Sequence, residues 1–216
     1  MSQLSVLVPI YNEEKYLAET LNSLKCQNID AAFLLSDNNS TDSSYEICQS
    51  FVDDDDRFKL FKQKNNIGAF GNGQFLLSQL NTEFFMFIGA HDVLSDNYFD
   101  QVLEKIKSDK SFSMSIGKPA AMNETSEVLG YIDAAEYDFS SDDKIVRYFK
   151  SVKELNNCTC FQSVCRTSNL KGFEFRETQG PDHVFISHML LHGKLHFDQK
   201  AAYVRRYFSN DRSQSY

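Results

Sequence analysis

The run EFFMFIGAHD (Glu83–Asp92) is the most informative short segment of this chain. From Phe84 to Ile88 every residue is apolar, with no alternation between an inner and an outer face. A strand of that kind is buried on both sides, the mark of a parallel sheet covered by helices. The run then stops at Gly89 and brings a polar pair, His91-Asp92, to what would be the rim of the sheet.

The segments before it repeat one period. LSVLVPI (Leu4–Ile10) reads as a strand rich in β-formers, and NEEKYLAETLNSLKCQ as a helix with Tyr16, Leu17, Leu21 and Leu24 at helical spacing. AAFLLS (Ala31–Ser36) is a second strand, followed by DNNSTDSSYEICQSFV, capping residues and then a helix. RFKLFK (Arg57–Lys62) is a third strand, and GAFGNGQFLLSQL a helix entered through glycines. Strand and helix in alternation predict right-handed crossovers and an α/β fold with a mostly parallel sheet flanked by helices. Ligands of such sheets bind beyond the carboxyl ends of the strands. That rule selects Pro9–Glu14, Ser36–Asp42, Lys62–Gly68 and Gly89–Asp92, where Asp, Asn, Glu and His collect.

After Asp92 the pattern is less regular. SDNYFDQVLEKIKSD predicts a helix, SFSMSIGKPA a strand, KIVRYFKSVKEL a helix, and FQSVCR (Phe161–Arg166) a strand. DHVFISHMLLHG predicts a helix closed by Gly193, and LHFDQKAAYVRRYF strand material. The polar stretch Asn123–Asp143 fits no single element. Neither a repeat nor a linker divides the 216 residues, so 1–216 reads as one domain.

Composition narrows the function classes. Hydrophobic residues at 42% and charged residues at 24% describe a globular domain rather than a disordered one. A net charge of −8 leaves no basic surplus for nucleic acid, though it allows a local pocket for one phosphorylated small molecule. The five cysteines are odd in number and lack paired zinc spacing, so they read as free thiols. MSQLSVLVPIYNEE has no basic stretch followed by a long apolar one, which predicts no leader, and no window has the length of a membrane span. A cytoplasmic protein, at most peripheral at the inner face of a membrane, is the expectation.

Three segments carry candidate chemistry. In SDNNSTD, Asp37 ends a strand and offers a carboxylate to a base N–H or to ribose hydroxyls; the alternative is a turn plus a helix cap. NNIGAFGNG offers backbone N–H groups to a phosphate, or simply close helix packing. It is neither a P-loop nor a dinucleotide fingerprint. His188 and His192 share a helix face, a spacing seen in metal sites, but no acid accompanies them and a surface or core role is expected.

These segments together resemble the family 2 glycosyltransferases, inverting enzymes of the GT-A (Rossmann-like) fold. SVLVPIYNEEKYLAETLNSL is similar to their opening strand and helix, LLSDNNSTDSS to their nucleotide loop and NNIGAFGN to their third loop. FIGAHDVLSDNY lies where they carry the acidic metal motif. FQSVCRTSNLKGFEF, ETQGPDHVFISHMLLHGK and YVRRYFSNDRSQS resemble their acceptor strand, base-bearing helix and closing segment. The resemblance implies a nucleotide-sugar half, 1–95, and an acceptor and catalytic-base half, 96–216. Pro9, Tyr11 and Glu13 would line base and ribose, Asp37 would bind the base edge, and Lys64, Asn66 and Gly68 would lie near base or phosphates. Asp182 would be the general base, and Arg205 and Arg206 would meet the departing diphosphate. The implied reaction moves a sugar from a nucleotide diphosphate sugar, a UDP-sugar first, to a hydroxyl of a glycan or lipid-linked acceptor, as in bacterial surface glycan synthesis. A nucleotidyltransferase would need a Gly-rich basic loop after the first strand, which VPIYNEEKY does not supply.

The chain departs from that pattern at its metal motif. Where the family has Asp-x-Asp-Asp it reads Gly89-Ala90-His91-Asp92. Three readings follow. His91 and Asp92 hold a divalent cation, Mn²⁺ or Mg²⁺; or cations such as Arg205 replace the metal; or the protein is a binding module that retains nucleotide-sugar affinity without turnover. Pro181 replaces the Glu before the base, Val184 a further acid, His188 an Arg, and Tyr207 the closing His.

Overall fold

A computed structural model describes residues 2–131, 138–176 and 178–208. The strands β1 (Leu4–Ile10), β2 (Ala31–Asp37), β3 (Phe58–Lys62) and β4 (Phe84–Phe87) are joined by the helices α1 (Leu17–Lys25), α2 (Ser44–Asp54) and α3 (Gly68–Ser78). β1 pairs in parallel with both β2 and β4, and β2 with β3. Phe84 through Ile88 are all buried, as an apolar run without alternation requires.

The remaining elements are β5 (Val93–Leu94), α4 (Tyr98–Ser108), β6 (Phe112–Met122), β7 (Val128–Tyr131), α5 (Lys144–Glu154), β8 (Val164–Arg166), α6 (Pro181–His192) and β9 (Lys194–Arg206). They extend the same sheet to the order β3-β2-β1-β4-β8-β6-β9-β5, with β7 on β6. Parallel pairing carries the long registers, including β6 with β9. The antiparallel joins of β8 to β4 and β6, and of β5 to β9, are short. The α/β fold with a mostly parallel sheet is therefore as expected. α4 packs on β6 and β9, α6 on β6, and α5 on α6.

Several elements differ from the sequence reading. The strand expected over Glu83–Gly89 ends at Phe87, and the chain then turns into β5, which had no signature of its own. The strand expected over Phe161–Arg166 narrows to β8, because Cys158–Gln162 forms a 3₁₀ helix. Asn157 caps it, Oδ1 accepting from the Thr159 N–H at 2.9 Å. Asn123–Asp143 contains a tight turn into β7, with Asn123 Oδ1 accepting from the N–H groups of Thr125 and Glu127 at 3.0 Å; residues 132–137 lie outside the described residues. β9 makes a bulge opposite Gly117, where the partner jumps from Asp198 to Ala202. A Cβ at Gly117 would sit 2.8 Å from the Ala201 carbonyl oxygen and 2.7 Å from the Tyr98 ring, so this close approach needs glycine.

Asp92 locks the far end of β9 to the end of β4. Its Oδ1 accepts from the Arg206 N–H at 2.8 Å and its Oδ2 from the Tyr203 hydroxyl at 2.6 Å. The Arg206 side chain continues the lock. Its guanidinium donates to the His91 carbonyl at 3.0 Å, to the Asn123 carbonyl at 2.9 Å and to Glu19 at 2.6 Å, and lies over the Tyr16 ring. Burial pushes the Asp92 carboxyl above its ordinary range, opposed by His91, the Tyr203 hydroxyl and the Arg206 N–H.

Tyr203→Phe removes one partner of this buried carboxylate and should lower stability by about 1–3 kcal/mol, read as the urea midpoint. A carboxyl raised in the folded state keeps a proton that the unfolded chain loses in the ordinary carboxylate range, so its contribution to stability falls as pH rises from there through the folded value. The loss in Tyr203→Phe should therefore be larger at neutral than at acid pH, and an equal loss at both would place the damage elsewhere. Gly117→Ala should cost about 1–3 kcal/mol by overpacking, on the same measurement.

Candidate active site

Side-chain hydrogen bonds lace the first three strand-end loops together. Residues 12–14 after β1 and 40–44 after β2 bond reciprocally. The N–H groups of Asn12, Glu13 and Glu14 donate to Ser40, Ser44 and Asp42 at 2.8–3.0 Å. Asn12 Oδ1 and Glu14 Oε2 accept from the N–H groups of Thr41 and Ser43. Asn12 and Asn39 take positive φ, at 54° and 63°, which Asn tolerates better than most residues. The next loop is tied in by Asn38, which donates to Asn66 Oδ1 at 2.8 Å and accepts from the Ile67 N–H at 2.9 Å. Gly68, at φ +74°, opens α3 beside this tie.

The laced loops and the Gly89–His91 turn enclose a cavity of about 180 Å³. Pro9, Tyr11 and Glu13 line it from β1, Asn38 from β2, Ala69 and Asn72 from α3, and Gly89, Ala90 and His91 from β4. Three strand ends and the first turns of α3 thus meet on one space, where the topology rule places a ligand. The cavity wall is mostly apolar and carries a few polar groups, the usual make-up of a small-molecule site.

The structure brings some expected residues to this cavity and withholds others. Asp37 is fully buried and its carboxylate faces the Ser40 N–H, with both oxygens at 3.3 Å. Asp37 is not at the cavity wall; the residue of this loop that lines it is Asn38. Asn66 and Gly68 build the third loop and are not among the residues at the wall, and Lys64 is exposed outside it. Arg206 is corrected. Its side chain is 0% exposed and committed to the lock described above, so it has no face for a diphosphate.

The expected metal pair is separated by the same lock. Both carboxylate oxygens of Asp92 are occupied by Tyr203 and the Arg206 N–H, and the residue is buried. His91 does reach the cavity, with Nδ1 at 3.1 Å from Glu13 Oε1. Mg²⁺ requires, and Mn²⁺ favours, oxygen donors. Here His91 presents one nitrogen, and Asp92 is buried and bonded through both oxygens. Among the described residues no three His, Cys, Asp or Glu side chains come together as a ligand set. His91 and Asp92 therefore do not fit the expected divalent site.

The expected general base, Asp182, stands on α6. Gly180 enters it at φ +67° and Pro181 takes the first turn, a position where proline needs no N–H partner. That places Asp182 in the first turn, half-buried. Burial raises its carboxyl above the ordinary range, against the opposing charges of Arg205 and His183. Arg205 donates to Thr159 Oγ1 at 3.2 Å, and its charge opposes the rise of both the Asp92 and the Asp182 carboxyls. Beside α6 a cavity of about 260 Å³ is lined by Phe173, Phe175, Arg176, Pro181 and Val184. His188 donates from Nε2 to the Asn169 carbonyl at 2.8 Å and its ring meets that of His192. All five cysteines are free thiols.

The sequence profile of Glycosyl transferase family 2 matches residues 5–173. Glycosyltransferase GlyG of Streptococcus pneumoniae is 33% identical over 121 residues, covering 54% of this chain and 39% of its own length. The GalNAc(5)-diNAcBac-PP-undecaprenol beta-1,3-glucosyltransferase of Campylobacter jejuni is 33% identical over 107 residues, 49% of this chain and 35% of its own. The chain thus spans little more than a third of the length of these two relatives. Among solved structures, S. aureus TarS 1–349 in complex with UDP-GlcNAc superposes with a TM-score of 0.77 at 20% identity, over 99% of this chain and 61% of that one. At that identity the likeness is one of fold. The profile match covers well over half of the residues, and this chain belongs to glycosyl transferase family 2.

Proposed function

We propose that this chain transfers a sugar, with inversion, from a UDP-sugar to an acceptor hydroxyl in the synthesis of a bacterial surface glycan. The observation that carries the reading is the meeting of three strand ends and α3 on one cavity, with a half-buried carboxylate presented by α6 on the acceptor side. The bound nucleotides of the structural neighbours support the donor class: TarS 1–349 was solved with UDP and with UDP-GlcNAc. The curated relatives support the setting, since they include a teichoic acid poly(glycerol phosphate) polymerase and an undecaprenol-linked glucosyltransferase.

In this reading the nucleoside enters between Tyr11 and Asn38, with Pro9 and Glu13 beside it. Asp182 takes the proton from the acceptor hydroxyl as its oxygen attacks the anomeric carbon from the face opposite the diphosphate. The C–O bond to the diphosphate breaks as the new glycosidic bond forms, and the nucleoside diphosphate leaves with the electron pair. A carboxyl raised by burial suits the task, because its conjugate base holds the abstracted proton more strongly than an exposed one. Arg205 opposes the negative charge that gathers between the two substrates. The acceptor is a glycan or lipid-linked glycan on the aromatic wall of Phe173 and Phe175. Among the described residues no helix is long and apolar enough to cross a membrane, so contact with a lipid-linked acceptor is made peripherally, at the cytoplasmic face.

Asp182→Asn should reduce UDP release from UDP-sugars by roughly two to four orders of magnitude, while calorimetric UDP binding stays unchanged. The raised carboxyl sets the pH dependence: turnover should fall on acidification through a midpoint above the ordinary carboxylate range. Asp182→Asn with wild-type turnover would remove Asp182 from the reaction.

A further inference from the structure

The cavity contains one group whose surroundings differ from those expected at the metal motif. His91 stands in the place of an acid, and its Nδ1 lies 3.1 Å from Oε1 of Glu13, a side chain only 4% exposed. A buried carboxylate at that distance accepts the Nδ1–H and so fixes the plane and tautomer of the ring. The Phe208 ring packs edge-on against the imidazole, centroids 5.1 Å apart. The ring's other nitrogen, Nε2, belongs to a side chain that lines the cavity. Gly89 is part of the same arrangement. A Cβ at position 89 would sit 2.7 Å from Asp92 Oδ2 and 3.5 Å from His91 Nε2. While Tyr203 and the Arg206 N–H hold Asp92, an acid at 89 has no room.

We propose that this chain binds the diphosphate of its donor without a divalent cation, the His91 imidazole, oriented by Glu13, donating to a phosphate oxygen from Nε2–H. The inference rests on the nucleotide-sugar reading above. A ring that donates from both nitrogens carries a positive charge. It places that charge at one fixed point, with direction, where a hydrated ion would spread it over several ligands. Glu13 is a positioning residue, acting on the phosphate through His91. Arg206 adds a bond from Nε to the His91 carbonyl, so the main chain of the turn is held as well as the side chain.

The test is calorimetric titration of UDP and of uridine into the whole chain, in EDTA and in Mn²⁺, for wild type, His91→Ala and Glu13→Gln. UDP affinity should agree within about twofold between EDTA and Mn²⁺, and His91→Ala should weaken UDP by about tenfold or more, the scale of one charge-assisted hydrogen bond. Uridine, which has no phosphate, should bind the variant and wild type alike, which also shows that the variant is folded. Glu13→Gln, which keeps the shape but loses the charge, should weaken UDP by less than His91→Ala. A rise in wild-type UDP affinity of about tenfold on adding Mn²⁺ would overturn the inference and leave the donor reading standing. So would unchanged UDP affinity in His91→Ala. Wild type that binds neither UDP nor uridine would overturn the donor reading, and this inference with it.

Discussion

The buried carboxylate of Asp92 is the contact on which the two halves of the sheet depend. It receives one hydrogen bond from the main chain of β9 and one from the Tyr203 side chain, and both arrive from more than a hundred residues away in sequence. A carboxylate in an apolar interior is tolerated only when its oxygens are satisfied, so the contact is exacting: it forms with the right geometry or costs more than it contributes. Arg206 turns that point contact into a brace, joining α1 through Glu19, the β7 turn through Asn123, and the Gly89–His91 turn through the His91 carbonyl. The cavity wall supplied by β4 is thereby held by the strand that carries Arg205. The donor and acceptor sides share one rigid support.

A second constraint acts within the donor half. Loops at the ends of parallel strands leave main-chain N–H groups without ladder partners. This chain satisfies them with short polar side chains from neighbouring loops: Ser40, Asp42 and Ser44 from one, Asn12 and Glu14 from the other. Asn38 does the same toward residues 66–68 while bordering the cavity. The polar residues gathered at the strand ends are therefore mostly structural, and the ligand meets the few that remain. That division explains why a polar cluster in the sequence marks the place of a site better than it marks the residues that act there.

The same division explains what could be read in advance. Strands β1, β2 and β4 were legible because burial leaves nearly unbroken apolar runs, β3 because its β-forming residues fall between two helices, and four strands in alternation with helices admit few topologies. β5 was not legible, since two residues pair there only because β9 arrives beside them. Asp37 and Asn38 are neighbours at the end of β2, and successive side chains of a strand point to opposite sides. Choosing between them needs the residue at which the strand stops, the least legible feature of any element. Arg206 showed its charge in the sequence but not its burial, and Arg205, its neighbour, faces the other way for the same period-two reason. The weak period of the second half has a similar cause: α5 buries Arg147 and Ser151 and exposes Ile145, Phe149 and Val152, reversing the usual apolar-inward rule.

The acceptor half is held by packing rather than by lacing, and this bears on its chemistry. Phe185 on α6 meets Phe85, Phe161, Phe173 and Phe175, so the helix that presents Asp182 rests on an aromatic cluster continuous with the core. Partial burial takes water from the Asp182 carboxylate in the first turn of that helix. That is the condition under which a carboxyl rises, and Asp182 rises from it, held in check by Arg205 and His183. Pro181 fits the same scheme, since it enters the helix without an N–H that the apolar surroundings would leave unpaired. A polar residue before Asp182 would draw water back toward the carboxylate and lower it. Partial burial of the first turn thus tunes the one carboxylate that α6 carries.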